Sequence, residues 1–334
     1  MVVKDLKTKE RSAKGIADSI QHHLKLLPAG RKRAQRGCKR CHRPERAVVA
    51  ILAFFFLTLE LPGHDSARLN VTSHSIHFGV YDFEQILTNN SKFGTEHIFV
   101  SWKDYKNGSL TKQLNVIRSR GRVPLVTIEP WGSSLEETIS GSKDGVIRQM
   151  ATEVSEFRDP VTIRFMHECE NGNGRYPWAC RDSGHFIAAF RHFVTRFRTV
   201  TENAKFMWSP IADPGCERYY PGSEYVDEIG LSFYSFPEAD LKYHGHVRSF
   251  KEQMDQKYDR VRWYDKPIVI AEFGIAGSDD AKTSYLSEVL LELPKYPLVT
   301  TLVFFVAKDT PGAWGQGIST PRWSLGTGEL ALLH

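Results

Sequence analysis

Two glutamates stand at the ends of short apolar runs. Glu168 closes Arg164-Phe165-Met166-His167-Glu168, and Glu272 lies in Pro267-Ile268-Val269-Ile270-Ala271-Glu272-Phe273-Gly274. Two carboxylates facing one another across a pocket can divide acid and base work. One, protonated, helps a leaving oxygen depart; the other, ionised, attacks carbon or activates water, as cleavage of a glycosidic bond demands. Trp131, Trp178, Trp208 and Tyr234 supply aromatic faces that can stack on sugar rings. Arg164 and His167 can hold a carboxylate ionised or orient it.

Other chemistries find less support. His167-Glu168-Cys169-Glu170 is not H-E-x-x-H, and His185 and His192, seven apart on a predicted helix, are expected to face solvent or pack. Neither G-x-x-x-x-G-K-[ST] nor G-x-S-x-G occurs, and Gly172-Asn173-Gly174 follows a strand without the dinucleotide pattern. Neither a catalytic metal nor a cofactor is expected.

The elements that must position these residues repeat from about residue 74. Predicted strands are Ile76–Tyr81, His97–Trp102, Val123–Trp131, Val161–Glu168, Lys205–Ser209, Val226–Tyr234, Pro267–Phe273 and Thr301–Ala307. Helical stretches fall at Leu110–Ser119, Gly145–Phe157, His185–Thr199, Val247–Tyr258 and Thr283–Leu293. Runs such as Pro267–Phe273 lack polar alternation, as parallel strands covered on both faces should. Eight such units in about 260 residues have the rhythm of a (β/α)8 barrel, an α/β fold whose reactive groups sit at the carboxyl ends of the strands. A doubly wound open sheet would show a Gly-rich first turn, and none is present. The first and sixth units carry the weakest pattern.

Charge divides the 334 residues unevenly. Residues 1–46 hold 14 Lys/Arg and 4 Asp/Glu, a net of +10, whereas the remainder holds 30 and 35, a net of −5. The basic pI of about 8.8 therefore belongs to the arm, and the acidic body does not suggest a nucleic-acid partner. The arm, expected to be disordered, leads into Ala47–Leu59, an apolar run shorter than the roughly 20 residues of a bilayer span but in the range of a secretory core. Export is expected, to the periplasm or medium, or with residues 47–59 retained as an inner-membrane anchor. Cys38 and Cys41 make one C-x-x-C, half a zinc site, read as incidental thiols. A catalytic domain is expected over residues 68–334, with no internal linker. Oligomeric state is not legible.

The motifs also resemble a known family. Arg164-Phe165-Met166-His167-Glu168, followed by Asn171-Gly172 and Tyr176-Pro177-Trp178, resembles the acid/base motif of glycoside hydrolase family 26. Phe190-Arg191-His192, Trp208-Ser209-Pro210, Tyr220-Pro221-Gly222, Tyr225-Val226-Asp227 and Gly230-Leu231-Ser232-Phe233-Tyr234 continue it in order, and Pro267–Gly274 resembles its nucleophile strand. The resemblance spans about residues 76–325. It implies a (β/α)8 barrel and retaining, endo-acting hydrolysis of β-linked polysaccharide, in a family of β-mannanases, mixed-linkage β-glucanases and β-1,3-xylanases. By position it implies Glu168 as general acid/base, Glu272 as nucleophile, His167 and Tyr234 as their neighbours, and Trp314 as a sugar-contacting aromatic. The substrate choice leans slightly to β-glucan.

One departure bears on activity. The family reads His-Glu, one residue, then Asn-Gly, whereas this chain reads His167-Glu168-Cys169-Glu170-Asn171-Gly172. An extra acid at Glu170 could retune Glu168 or serve as the acid itself. The alternatives are a catalytically weak protein that positions an exopolysaccharide, and a membrane-tethered interaction module. Among the body's thiols, Cys180 with Cys216 is the expected disulfide if the chain is exported, against three buried thiols otherwise.

Overall fold

The computed structural model describes residues 75–170, 174–179 and 182–334. The basic arm, the Ala47–Leu59 run, the Cys38/Cys41 pair, Asn171-Gly172 and Cys180 lie outside the described residues. Among the described residues no helix is long and apolar enough to cross a membrane.

Eight parallel strands close on themselves. They are β1 (His77–Asp82), β2 (Thr95–Ser101), β3 (Val123–Glu129), β4 (Val161–Phe165), β5 (Ala204–Trp208), β6 (Glu228–Ser235), β7 (Ile268–Ile275) and β8 (Val299–Lys308). Each pairs with the next, and β8 returns to β1 in register from His77↔Thr301 to Asp82↔Val306. Outside lie α1 (Ser109–Ser119), α2 (Leu135–Ile139), α3 (Asp144–Phe157), α4 (Ser183–Arg198), α5 (Pro237–His244), α6 (Phe250–Val261), α7 (Asp279–Glu292) and α8 (Thr327–Leu332). A two-residue β9 (Arg322–Trp323) pairs antiparallel with the end of β8. The chain is thus a (β/α)8 barrel. All eight expected strands are present, with ends shifted by up to three residues.

The barrel holds two apolar shells. Leu125, Met207, Val269, Ala271 and Val303 fill its floor from four strands. Residues on the other face of each strand meet the helices. Phe186, Phe190, Phe193 and Phe197 recur at helical spacing along α4, and Phe193 stacks on Phe165 of β4 at 3.8 Å between ring centroids. Gly79 of β1 has no room for a side chain, since a Cβ would lie 2.9 Å from that of Thr95 and 3.0 Å from Val303.

The first unit departs from the expected rhythm, because turns and no helix join β1 to β2. The Asp82 carboxylate accepts the amides of Ile86 (3.0 Å) and Leu87 (2.6 Å), closing a turn just where a helix would start. Buried Arg122 then binds the carbonyls of Leu87, Thr88 and Asn90 and pairs with Glu96 at 2.9 Å. These bonds satisfy backbone groups that a helix would have satisfied itself.

Candidate active site

The position of Glu272 depends on a bulge. In β7, Val269 and Ala271 point to the barrel floor while Ile270 and Phe273 join the outer shell. Strict alternation would turn Glu272 outward. The pairing with β6 instead jumps from Leu231↔Ile270 to Ser232↔Glu272, leaving Ala271 as an extra residue. That added residue rotates Glu272 into the barrel.

Inside, Glu272 meets a fully buried arginine. Arg164 Nη1 donates to Glu272 Oε1 at 2.5 Å, and Tyr234 Oη donates to Oε2 at 2.6 Å. Arg164 is fixed by Ser209 Oγ (2.8 Å), with longer contacts to Ser232 Oγ (3.3 Å) and Thr127 Oγ1 (3.5 Å). Burial favours the neutral acid, but the Arg164 charge, with the Tyr234 hydroxyl, outweighs it and holds Glu272 well below the usual carboxylate range. Burial holds the imidazoles of His97 and His167 neutral, so Arg164 is the nearby cation that counts.

The position of Glu168 is built by a strained turn. β4 ends at Phe165, three residues before the expected end, and Met166 and Glu168 both take left-handed backbone angles (φ 52° and 54°). Non-glycine residues reach this region at a cost of roughly 1–3 kcal/mol each. Hydrogen bonds hold them there: Met166 N to Ile128 O (3.3 Å), Glu168 N to Ser209 O (2.7 Å) and Trp178 Nε1 to His167 O (2.7 Å). Glu168 is half-buried, and burial, then the nearby charge of Glu272, pushes its pKa up. One carboxyl therefore stays protonated to a higher pH while its neighbour stays ionised to a lower one. That is the division of labour general acid and nucleophile need.

The other expected residues sort by position. His167 is buried against Tyr176, Trp178 and Phe99, with ring centroids at 4.7, 5.6 and 6.0 Å. Trp131 and Trp314 are half-buried, and a carboxylate fixes each indole N–H: Glu129 at 3.0 Å and Asp309 at 2.8 Å. Two of the tryptophans expected to stack on sugar are not available to it. Trp178 is 1% exposed, spent on the His167 carbonyl and on stacking with Tyr176. Trp208 is fully buried outside the barrel, edge-on to Tyr220 and Tyr264, because its neighbour Met207 takes the inward position. Arg164 is likewise sealed from ligand and acts on Glu272.

The structure adds residues that were given no role from the sequence. Glu129, ending β3, is a third carboxylate near Glu272, and burial raises its pKa. Tyr81, next to last in β1, lies against His97, Phe99 and Phe305, its phenol pushed up to about 12 by burial and by Glu272 and Glu129. His97 accepts or donates at Thr127 Oγ1 (2.7 Å) beneath the pair. Tyr81 was findable as a polar group at a strand end; His97 sits lower on β2 and carried no such signal.

Glu170, the departing acid, faces elsewhere. Its Oε1 accepts the amide of Ala212 at 2.8 Å and its Oε2 meets the Cys169 thiol at 3.6 Å. Cys169 and Cys216 are buried free thiols, so Cys216 is not in the disulfide expected with Cys180. Among the described residues no group of His, Cys, Asp and Glu could hold a metal ion.

Comparison with known proteins bears on this geometry. The profile of "Glycosyl hydrolase family 26" matches residues 134–254, a stretch that includes Glu168 and stops short of Glu272. Over that stretch the chain is similar to glycosyl hydrolase family 26. Endoglucanase H of Acetivibrio thermocellus is 27% identical over 228 residues, covering 64% of this chain and 25% of that protein. A Vibrio β-1,3-xylanase is 20% identical over 168 residues, 47% of this chain and 33% of the xylanase. The chain thus spans a quarter to a third of the length of these curated relatives. Among solved structures, a family 26 β-mannanase from Bacteroides ovatus superposes with a TM-score of 0.53 at 15% identity, covering 77% of this chain and 86% of its own. A modular endo-β-1,4-mannanase from Cellulomonas fimi gives 0.51 at 15%, covering 72% and 68%. At these identities the structural likeness concerns the fold alone.

Proposed function

We propose that this relative of family 26 is a glycoside hydrolase that cleaves β-linked polysaccharide internally and with retention of configuration. The observation that carries the reading is the paired environment of the two glutamates: Glu272 ionised on Arg164 and Tyr234, Glu168 half-buried and held toward its protonated form. Glu168 gives its proton to the departing oxygen as Glu272 attacks the anomeric carbon and forms a glycosyl-enzyme. Glu168, now a base, takes a proton from the water that releases the sugar. Half-buried Trp131, just after β3, and Trp314, after β8, offer aromatic faces for sugar rings. The named activities of the relatives, an endoglucanase and a β-1,3-xylanase, support a β-linked substrate, and the first favours a β-glucan over mannan. Export, or anchoring through residues 47–59, is proposed from the basic arm and the apolar run alone.

The test is reducing-end release from lichenan, mannan, β-1,3-xylan and carboxymethyl cellulose by wild type, Glu168→Gln and Glu272→Gln. Activity on one polymer, lost by orders of magnitude in both variants, with the product's first-formed anomer matching the substrate's by NMR, is the expected result. An inverted first product would overturn retention, and unimpaired variants would overturn the residue roles.

A further inference from the structure

The two carboxylates belong to strands three positions apart around the barrel, yet one residue touches the machinery of both. Ser209, directly after β5, accepts the Glu168 amide on its carbonyl (2.7 Å) and Arg164 Nε on its hydroxyl (2.8 Å). Arg164 continues the path to Glu272 Oε1 at 2.5 Å. A continuous line of three short hydrogen bonds therefore runs from the backbone of the acid/base to the carboxylate of the nucleophile.

Ser209 can serve as a fixed post because its segment is held from outside. Lys257 of α6 donates to the carbonyls of Ile211 (2.6 Å) and Ser232 (3.0 Å), and Arg260 of the same helix donates to that of Ala212 (3.0 Å). Glu170 takes the Ala212 amide from the other side (2.8 Å), which gives the unexpected acid of the Glu168 segment a structural purpose. The hydroxyl also needs space that the neighbouring strand leaves: at Gly230 of β6 a Cβ would lie 2.7 Å from Ser209 Oγ and 2.9 Å from its Cβ. Ser209 is 2% exposed, so no water replaces the hydroxyl as Arg164's acceptor without a rearrangement.

We propose that Ser209 is a positioning residue that sets the relation between Glu168 and Glu272, its carbonyl fixing the first and its hydroxyl fixing the arginine that holds the second. This rests on the reading of those glutamates as the catalytic pair. It touches no substrate, so its removal acts on turnover and on the nucleophile's titration and leaves substrate affinity nearly intact.

The experiment compares Ser209→Ala with wild type in kcat, KM and the pH profile of kcat/KM, with thermal unfolding as the control for fold. Ser209→Ala loses only the hydroxyl and keeps the carbonyl bond to Glu168. The expected result is a fall in kcat of about tenfold or more, KM within about twofold, and an acid limb moved up by roughly one pH unit while the basic limb stays in place. Ser209→Cys, similar in shape and a weak acceptor, is expected in between, and it carries the test if the alanine variant does not fold. Unchanged kcat and acid limb in a folded variant overturn the proposal, as does an equal shift of both limbs. If the wild type cleaves no polysaccharide, the catalytic reading fails separately. The positioning claim then rests on NMR titration of 13C-labelled glutamates, where Glu272 must titrate higher in Ser209→Ala than in wild type.

Discussion

Arg164→Met is the perturbation that most directly tests how Glu272 is kept ionised. Methionine fills much of the arginine's volume and removes its charge from a site where the Arg164 side chain is 0% and the Glu272 side chain 9% exposed. With N and O 2.5 Å apart, the charge centres lie roughly 4 Å apart, an attraction of about 4 kcal/mol at an effective dielectric of about 20. That agrees with the loss of about 3–5 kcal/mol typical of leaving one partner of a buried pair alone. The pH dependence gives the signature. In wild type the Glu272 pKa is depressed, so the pair's contribution is complete above the unfolded carboxylate value of about 4.3 and is lost as pH falls through the lower folded value. In the variant burial acts against Tyr234 alone, the pKa rises, and stability is lost as pH rises through it. The gap between the two proteins is therefore about 3–5 kcal/mol at pH 7 and narrows toward pH 4. Urea unfolding followed by tryptophan fluorescence at four pH values measures it. A gap under about 1 kcal/mol at pH 7, or one that does not narrow, refutes the account of Arg164.

Three further outcomes follow from the same geometry. Tyr234→Phe removes the 2.6 Å bond to Glu272 and keeps the ring packed on Trp323; a charged hydrogen bond of about 1.5–3 kcal/mol predicts a loss of roughly 10–100-fold in kcat/KM with little change in melting temperature. Glu170→Gln keeps an oxygen for the Ala212 amide and is expected to stay within a few-fold of wild-type kcat, whereas a loss as deep as that of Glu168→Gln would make Glu170 the acid. The pH profile of kcat/KM should be bell-shaped: its acid limb, set by Glu272, falls below the ordinary carboxylate range, and its basic limb, set by Glu168, falls above it. An acid limb at or above about pH 4.5 would contradict the depressed pKa of Glu272.

The strands were legible because they are apolar runs of β-branched and aromatic residues, most with a polar or aromatic residue near the end, a signal that survives burial on both faces. Glu168 and Glu272 were legible for the same reason. Side-chain phase was not. Trp208 and Met207 both lie near the end of β5, and only the assembled barrel shows that Met207 points in and Trp208 out. The helix α5 was missed because most of it is solvated: Ala239 and Asp240 alone are buried, so it carries no apolar stripe. The first unit was legible only as a weak pattern with no helix assigned, because what holds it is Asp82 capping a turn and Arg122, just before β3, reaching the loop carbonyls. The roles of Ser209 and Gly230 rest on contacts between strands and leave no mark in local pattern.

The extra residue in β7 makes the site sensitive to counting as well as to chemistry. Every side chain from Glu272 to Ile275 owes its facing to Ala271 having no partner in β6. Deleting any one residue between Val269 and Ala271 would leave each candidate catalytic side chain in the chain and still present Glu272 to the helices, exchanging places with its apolar neighbour Phe273. A catalogue of which amino acids the protein contains would miss that failure entirely. The information that makes Glu272 a nucleophile candidate is thus partly ordinal: it resides in how many residues precede it along the strand, a quantity that substitution scanning leaves untouched and that only insertions and deletions read out.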